Sequence, residues 1–185
     1  MYLYTGLMMR LINGVPRLLI VIFSAAMIAG GIHAAENGRP EDAAGDRNNP
    51  IDQLQKDAEQ GNVKAQYVLG CCYNGDRGFP KDPARAAKWW GMAAANGNAD
   101  AQFCLGLSCF LGQGVSKNAA EAVQWWKKAA DQDHADAQYF LGLCYHTGIG
   151  VPKSTPQAVY WLQRSAGHGN GAAVGKLREI VASQG

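Results

Sequence analysis

The sequence predicts an all-α chain: an α/α solenoid of three 36-residue helix-turn-helix repeats with polar caps. Three observations carry this. Residue types recur at a fixed spacing of 36, each unit holds two stretches with helical periodicity, and glycines stand at the joints between them.

Ala65, Ala101 and Ala137 are 36 apart, as are Gln66, Gln102 and Gln138, Leu69, Leu105 and Leu141, and Gly70, Gly106 and Gly142. The register continues through Gly78, Gly114 and Gly150, then Ala86, Ala122 and Ala158, then Trp89, Trp125 and Trp161, and closes on Ala94, Ala130 and Ala166. Even common residue types fill only about a tenth of positions, so eight coincident triples at one period mark a true repeat.

The first helix of unit one is expected from about Asn62 to Asn74, with counterparts opening at Asn98 and His134. The following loop carries Gly75 and Gly78, then Gly112 and Gly114, then Gly148 and Gly150, residues suited to the left-handed turn that ends a helix. The second helix opens at Asp82, Asn118 and Ser154, whose side-chain oxygens can cap an orphan backbone N–H. Pro83 follows at the first helical position, where its missing N–H costs nothing. Ala86, Trp89, Trp90, Ala93 and Ala94 then trace one apolar face. Gly61, Gly97 and Gly169 mark the joint into the next unit, and Asp133 replaces glycine once. Gly70, Gly106 and Gly142 lie inside the first helix, where glycine costs about 1 kcal/mol relative to alanine. Its recurrence implies a neighbouring helix that crosses too closely for a side chain.

The pattern Ala-Gln-x-x-Leu-Gly-x-x-(Tyr/Cys), then Gly-x-Gly-(Val), then Ala-x-x-Trp and a closing Ala-Ala resembles the Sel1-like repeat (SLR), a relative of the tetratricopeptide repeat. The resemblance covers about Ala58 to Leu177. Phe79 replaces the usual valine, the unit-one loop glycine is shifted to Gly75, and Cys109 stands where Tyr73 and Tyr145 do. The resemblance implies a right-handed α/α solenoid used for protein–protein contact, often in exported bacterial proteins. Some relatives are periplasmic immunity proteins that neutralise toxic phospholipase effectors, and for others an action on β-lactam or peptidoglycan-derived material has been suggested. A protein-binding module is thus the first expectation and such an enzyme the alternative.

Solenoid ends need polar caps. Residues Asn49 to Gln60 align with a second helix but carry Gln53 and Asp57 where Trp89 and Ala93 would be. Residues Asn170 to Ser183 begin as a first helix, keep Ala173 and Leu177, and turn polar at Arg178 and Glu179. The units run at about 58–93, 94–129 and 130–165, with the C-terminal cap at 166–185 and the whole solenoid at 51–185.

Ahead of it, Arg10 and Arg17 precede an apolar run, Leu18 to Ala29, that ends in small residues. This is the form of a secretory signal peptide over residues 1–34, cut after Ala34 or Ala35. The alternative is an uncleaved membrane anchor, but Leu18 to Ile32 falls short of the ~20 residues a span needs; with the signal cleaved, no stable membrane insertion is expected. Residues 35–50, rich in Asp, Asn, Gly, Pro and Arg, read as a flexible linker. The expected location is periplasmic or secreted. Removing residues 1–34 takes away two arginines and no acid, leaving 15 basic and 15 acidic residues. A neutral mature chain lacks the footprint that nucleic-acid binding needs.

Scaffold positions repeat; a binding surface should vary. Positions 64, 68, 71 and 75 form a stripe on the first helix. It reads Lys64, Val68, Cys71 and Gly75, then Asp100, Cys104, Leu107 and Leu111, then Asp136, Phe140, Leu143 and Thr147. One reading is a concave partner-binding groove with an apolar floor and acidic edge, centred on Leu107 and Phe140. The other is ordinary core between layers.

The five cysteines all lie on first helices, so the pairing across two helices of one unit that some exported relatives use does not apply. Cys72 with Cys109 is the one candidate inter-unit disulfide, against buried thiols acting as small hydrophobes. No cofactor, metal or catalytic residue is expected. His-Glu-x-x-His, Ser-x-x-Lys and Gly-x-Ser-x-Gly do not occur, Gly171 to Lys176 is one residue short of a phosphate loop, and Cys144 with His146 is a weak metal pair.

Overall fold

The computed structural model describes residues 50–75 and 79–183. The expected signal, nearly all of the expected linker and Gly78 lie outside them. Among the described residues there are eight α-helices and no strand: α1 (Pro50–Glu59), α2 (Val63–Tyr73), α3 (Pro83–Ala95), α4 (Ala99–Leu111), α5 (Ala119–Ala130), α6 (Ala135–Thr147), α7 (Thr155–Gly167) and α8 (Gly171–Ala182). Each helix packs chiefly on its neighbours in the chain, the quasi-one-dimensional pattern of a solenoid. None of the described helices is long and apolar enough to cross a membrane.

The caps fall where expected. Asn62, Asn98 and Asn170 accept the backbone N–H three residues on at 3.1, 2.7 and 3.1 Å, and His134 does so through Nδ1 at 3.2 Å. Asp82, Asn118 and Ser154 open the second helices in the same way. Asp133 occupies its glycine-type joint with φ 64°. Gly114 and Gly150 combine φ of 75° and 74° with close approach to the preceding unit. A Cβ on Gly114 would meet the Pro83 carbonyl, and one on Gly150 would lie 2.5 Å from the Ala119 oxygen.

The interior glycines answer to close packing, as their cost implied. A Cβ at Gly70 would strike the Trp90 indole, one at Gly106 would lie 2.5 Å from Trp126 Nε1, and one at Gly142 would lie 2.7 Å from Leu162 Cγ. Arg178 occupies the corresponding position in α8, so α8 cannot receive another helix at that distance. The repeating glutamine is equally structural. Gln66, Gln102 and Gln138 are buried, and their Nε2 groups donate to the carbonyls of Ala58, Ala94 and Ala130 at 3.0, 3.1 and 3.0 Å. They tie each first helix to the end of the helix before it.

One scaffold expectation is corrected. The tryptophan column identical in all units is not the core column throughout: Trp89 and Trp125 are half-buried, while Trp90 and Trp126 fill the space beside the glycines. Trp126 is fully buried, with its Nε1 donating to the Phe103 carbonyl at 3.3 Å. Lys128 lies 4.0 Å over the Trp125 ring instead. In unit three Trp161 and Leu162 are both buried.

Candidate interaction surface

The stripe expected to bind a partner divides in two. Lys64 is exposed near the start of α2, and Val68 and Cys71 on the same helix are half-buried. On α4, Cys104, Leu107 and Leu111 are half-buried as well. These side chains leave apolar surface facing solvent. Phe140 and Leu143 do not, at 5% and 3% exposure, and their place in the predicted groove is corrected to core. The physical reason lies in side-chain length. Phenylalanine at this position spans the layer and packs on Trp126 and Phe103 of unit two, at 5.1 and 5.6 Å between centroids. Valine and cysteine at the corresponding positions are too short to do so.

The acidic edge is tied into the scaffold. Asp100 is exposed, but its carboxylate lies 3.4 Å from His134 Nε2, whose ring stacks on Phe103 at 4.8 Å. Asp136 accepts from Asn170 Nδ2 at 2.9 Å. In both pairs the capping residue of the next unit reaches back to a first-turn aspartate, where negative charge also suits the helix dipole. The rim charges are therefore held in place rather than loose.

Sequence reasoning missed the aromatic column within this face. Tyr67, Phe103 and Tyr139 are 36 apart, a periodicity that could have signalled them. Tyr67 and Phe103 are half-buried beside the stripe. The Tyr67 hydroxyl is hydrogen-bonded to Cys71, with Cys104 and Asp100 nearby. Burial first, then these neighbours, push its pKa well above the ordinary phenol value, so Tyr67 stays a neutral donor. Tyr67, Val68, Phe103, Cys104, Leu107 and Leu111 form the apolar floor, centred on α2 and α4.

The five cysteines are thiols, and no Cys72–Cys109 bridge is formed. Burial raises the Cys144 thiol to about 12, and burial with Glu121 nearby raises Cys109 to about 11, so both remain protonated and act as small hydrophobes. Burial, then Lys176 and Lys153, lower the pKa of His146. Among the described residues no group of three or more His, Cys, Asp or Glu is placed to hold a metal ion. A separate cleft beside the first loop is lined by Tyr73, Phe79, Pro80, Lys81, Asp82 and Arg85. Arg85 pairs with Asp82 at 3.1 Å and lies 5.3 Å from the centre of the Tyr73 ring.

Stacked helix pairs with glycine-mediated packing, a repeating buried glutamine and a variable first-helix face define an α/α repeat scaffold of the kind used for protein–protein contact. The Sel1 repeat family model matches residues 63–98, 99–134 and 135–170, and the chain belongs to that family. Its divisions keep the 36-residue register and begin five residues later than those drawn from the sequence. A Sel1 repeat protein from Oxalobacter formigenes is similar at 39% identity and TM-score 0.65, over 69% of this chain and 52% of that one. The c5321 protein, a protective antigen of uropathogenic Escherichia coli with an SLR fold, is similar at 37% identity and TM-score 0.64, over 68% of this chain and 27% of that one. The chain thus spans about half the length of the first and about a quarter of the second. Helicobacter pylori cysteine rich protein B shares the fold at 22% identity and TM-score 0.56, over 70% of this chain and 98% of that one. A comparison with curated proteins gives no match.

Proposed function

We propose that the chain is an exported binding module that holds another protein against the first-helix face of units one and two. The observation that carries this is the half-exposed apolar floor on α2 and α4, flanked by Lys64 and the fixed carboxylate of Asp100. Binding energy concentrates in a few desolvated side chains, and Leu107 is the central one here. Leu107→Ala is expected to weaken the partner complex by about 2 kcal/mol while shifting the unfolding midpoint little. A photo-crosslinking residue at position 107 in exporting cells would capture the partner. Capture at position 107 that is undiminished by Leu111→Ala and Val68→Ala would refute the shared floor.

The signal-like N-terminus supports export, and intact-mass measurement of the mature protein tests it. Retention of Met1 in a membrane fraction would refute cleavage. Within that setting we read the partner as a toxic effector, a phospholipase, that the module neutralises, by analogy with immunity proteins of the family. Cells expressing the chain should survive a phospholipase encoded beside its gene and delivered to the periplasm; equal killing with and without the chain refutes the immunity role.

A further inference from the structure

The 36-residue period gives each contact an internal control, and unit one lacks the pins that hold the other two. In unit three, α6 and the joint that precedes it are tied to the last turns of α7 by three side-chain bonds. Arg164 pairs with Asp133, Ser165 Oγ donates to the Ala135 carbonyl at 2.7 Å, and His168 Nδ1 meets Gln138 Oε1 at 2.9 Å. Unit two keeps two: Gln132 Nε2 donates to Gln102 Oε1 at 2.8 Å, and Trp126 Nε1 donates to the Phe103 carbonyl at 3.3 Å. The unit-one counterparts of Arg164, Ser165 and His168 are Met92, Ala93 and Asn96. Methionine and alanine carry no donor. Asn96 is one methylene shorter than Gln132, and its amide turns back to the Met92 carbonyl at 2.9 Å.

The consequence is visible in the buried atoms. Gln66 Oε1 and Trp90 Nε1 are buried without a hydrogen-bond partner, while Gln102, Gln138 and Trp126 are satisfied; His146 Nδ1, near the C-terminal end of α6, is the third such atom among the described residues. The two in unit one fall on the seam between α2 and α3, where units two and three have none. Beyond that seam, among the residues of α1 whose burial is described, Ala58 alone is buried, with Leu54 packed beside it. Buried polar groups without partners lower the free energy needed to open the contact around them.

We infer that α1 and α2 form a soft end that opens as a unit from α3, while α4 to α8 stay folded. Opening lets water reach Gln66 and Trp90, which lowers its cost relative to the same motion in units two and three. It is independent of any partner.

Two cysteines at the same repeat position report on it. Cys72 on α2 and Cys144 on α6 are 72 residues apart and are 2% and 4% exposed, so an alkylating reagent reaches either only after opening. The experiment uses the full chain with Cys71→Ser, which leaves Cys72 as the one thiol of α2, and a maleimide with peptide-resolved mass spectrometry. Cys72 is expected to react at least tenfold faster than Cys144. Asn96→Gln, which restores the donor at an exposed site, should slow Cys72 about fivefold and leave Cys144 unchanged. Gln132→Asn should carry the defect into unit two and speed labelling of Cys109. Equal rates at Cys72 and Cys144 would show only global unfolding and overturn the inference. So would a Cys72 rate unmoved by Asn96→Gln. Amide exchange of α2 against α6 provides the same comparison without a reagent.

Discussion

Trp125 and Trp126 are adjacent and chemically identical, yet their truncations should differ by a factor that an unfolding curve resolves. Trp126 is fully buried against the Gly106 backbone, with Phe110 and Phe140 at 5.4 and 5.1 Å between ring centroids. Trp126→Ala removes the largest fully buried side chain and leaves the Phe103 carbonyl without its indole donor. A tryptophan-to-alanine cavity costs about 3–5 kcal/mol, and collapse around it is limited by the helix backbones on both sides. Trp125 loses only part of that burial, together with a Lys128 contact at 4.0 Å worth about 0.5–1 kcal/mol at an exposed site, for a total of about 1–2 kcal/mol. Urea unfolding of the two variants followed by circular dichroism should therefore separate by about 1–4 kcal/mol, with Trp126→Ala the weaker protein. If Trp125→Ala is the more destabilised, the assignment of the core column to Trp90 and Trp126 is wrong.

The glycines divide in the same way. Gly106→Ala should destabilise by several kcal/mol, on the order of other overpacked core sites, because the new Cβ meets Trp126. Gly91→Ala, in α3 with nothing within 4 Å of a Cβ, should stabilise by up to about 1 kcal/mol, and thermal melts of the pair test both signs. Phe140→Ala should cost about 3–5 kcal/mol in chemical unfolding and leave partner affinity intact in the folded fraction; a weakened complex with unchanged stability would return Phe140 to the binding face. Hydrogen bonding from Arg164 holds the Asp133 carboxyl below the usual carboxylate range. A depressed folded pKa gives stability that is present above the unfolded value and lost as pH falls through the folded one. The stability difference between the parent and Arg164→Ala should accordingly shrink as pH falls through the acid range, and a difference that persists at the lowest pH would show that the pair does not carry it.

The period, the helix boundaries and the fold class were legible because they rest on local chemistry that a repeat displays three times. Asn62, Asn98, His134 and Asn170 cap first helices whatever surrounds them, and a left-handed joint takes glycine, or once Asp133, for reasons of backbone sterics alone. Interior glycines announced a close crossing by their own cost. The crossing partner was not legible, because repetition marks a position as constrained without saying which neighbour constrains it. Trp89, Trp125 and Trp161 are identical, yet the adjacent column of Trp90, Trp126 and Leu162 meets the glycines, since the rotation of the second helix about its axis is set by packing.

The candidate site shows the same limit. Lys64, Val68, Cys71, Asp100, Cys104, Leu107, Leu111 and Asp136 lie on surface that solvent reaches, whereas Phe140 and Leu143 are core. Variation between units distinguished both sets from scaffold but could not separate them, because a varied residue can fill a layer as well as face a partner. Tertiary structure decided between the two through reach: a phenylalanine spans the gap to Trp126, and a valine or cysteine does not. It likewise decided that Asn96 falls short of Gln66 where Gln132 reaches Gln102, a difference of one methylene whose meaning depends on a distance between helices that no single helix encodes.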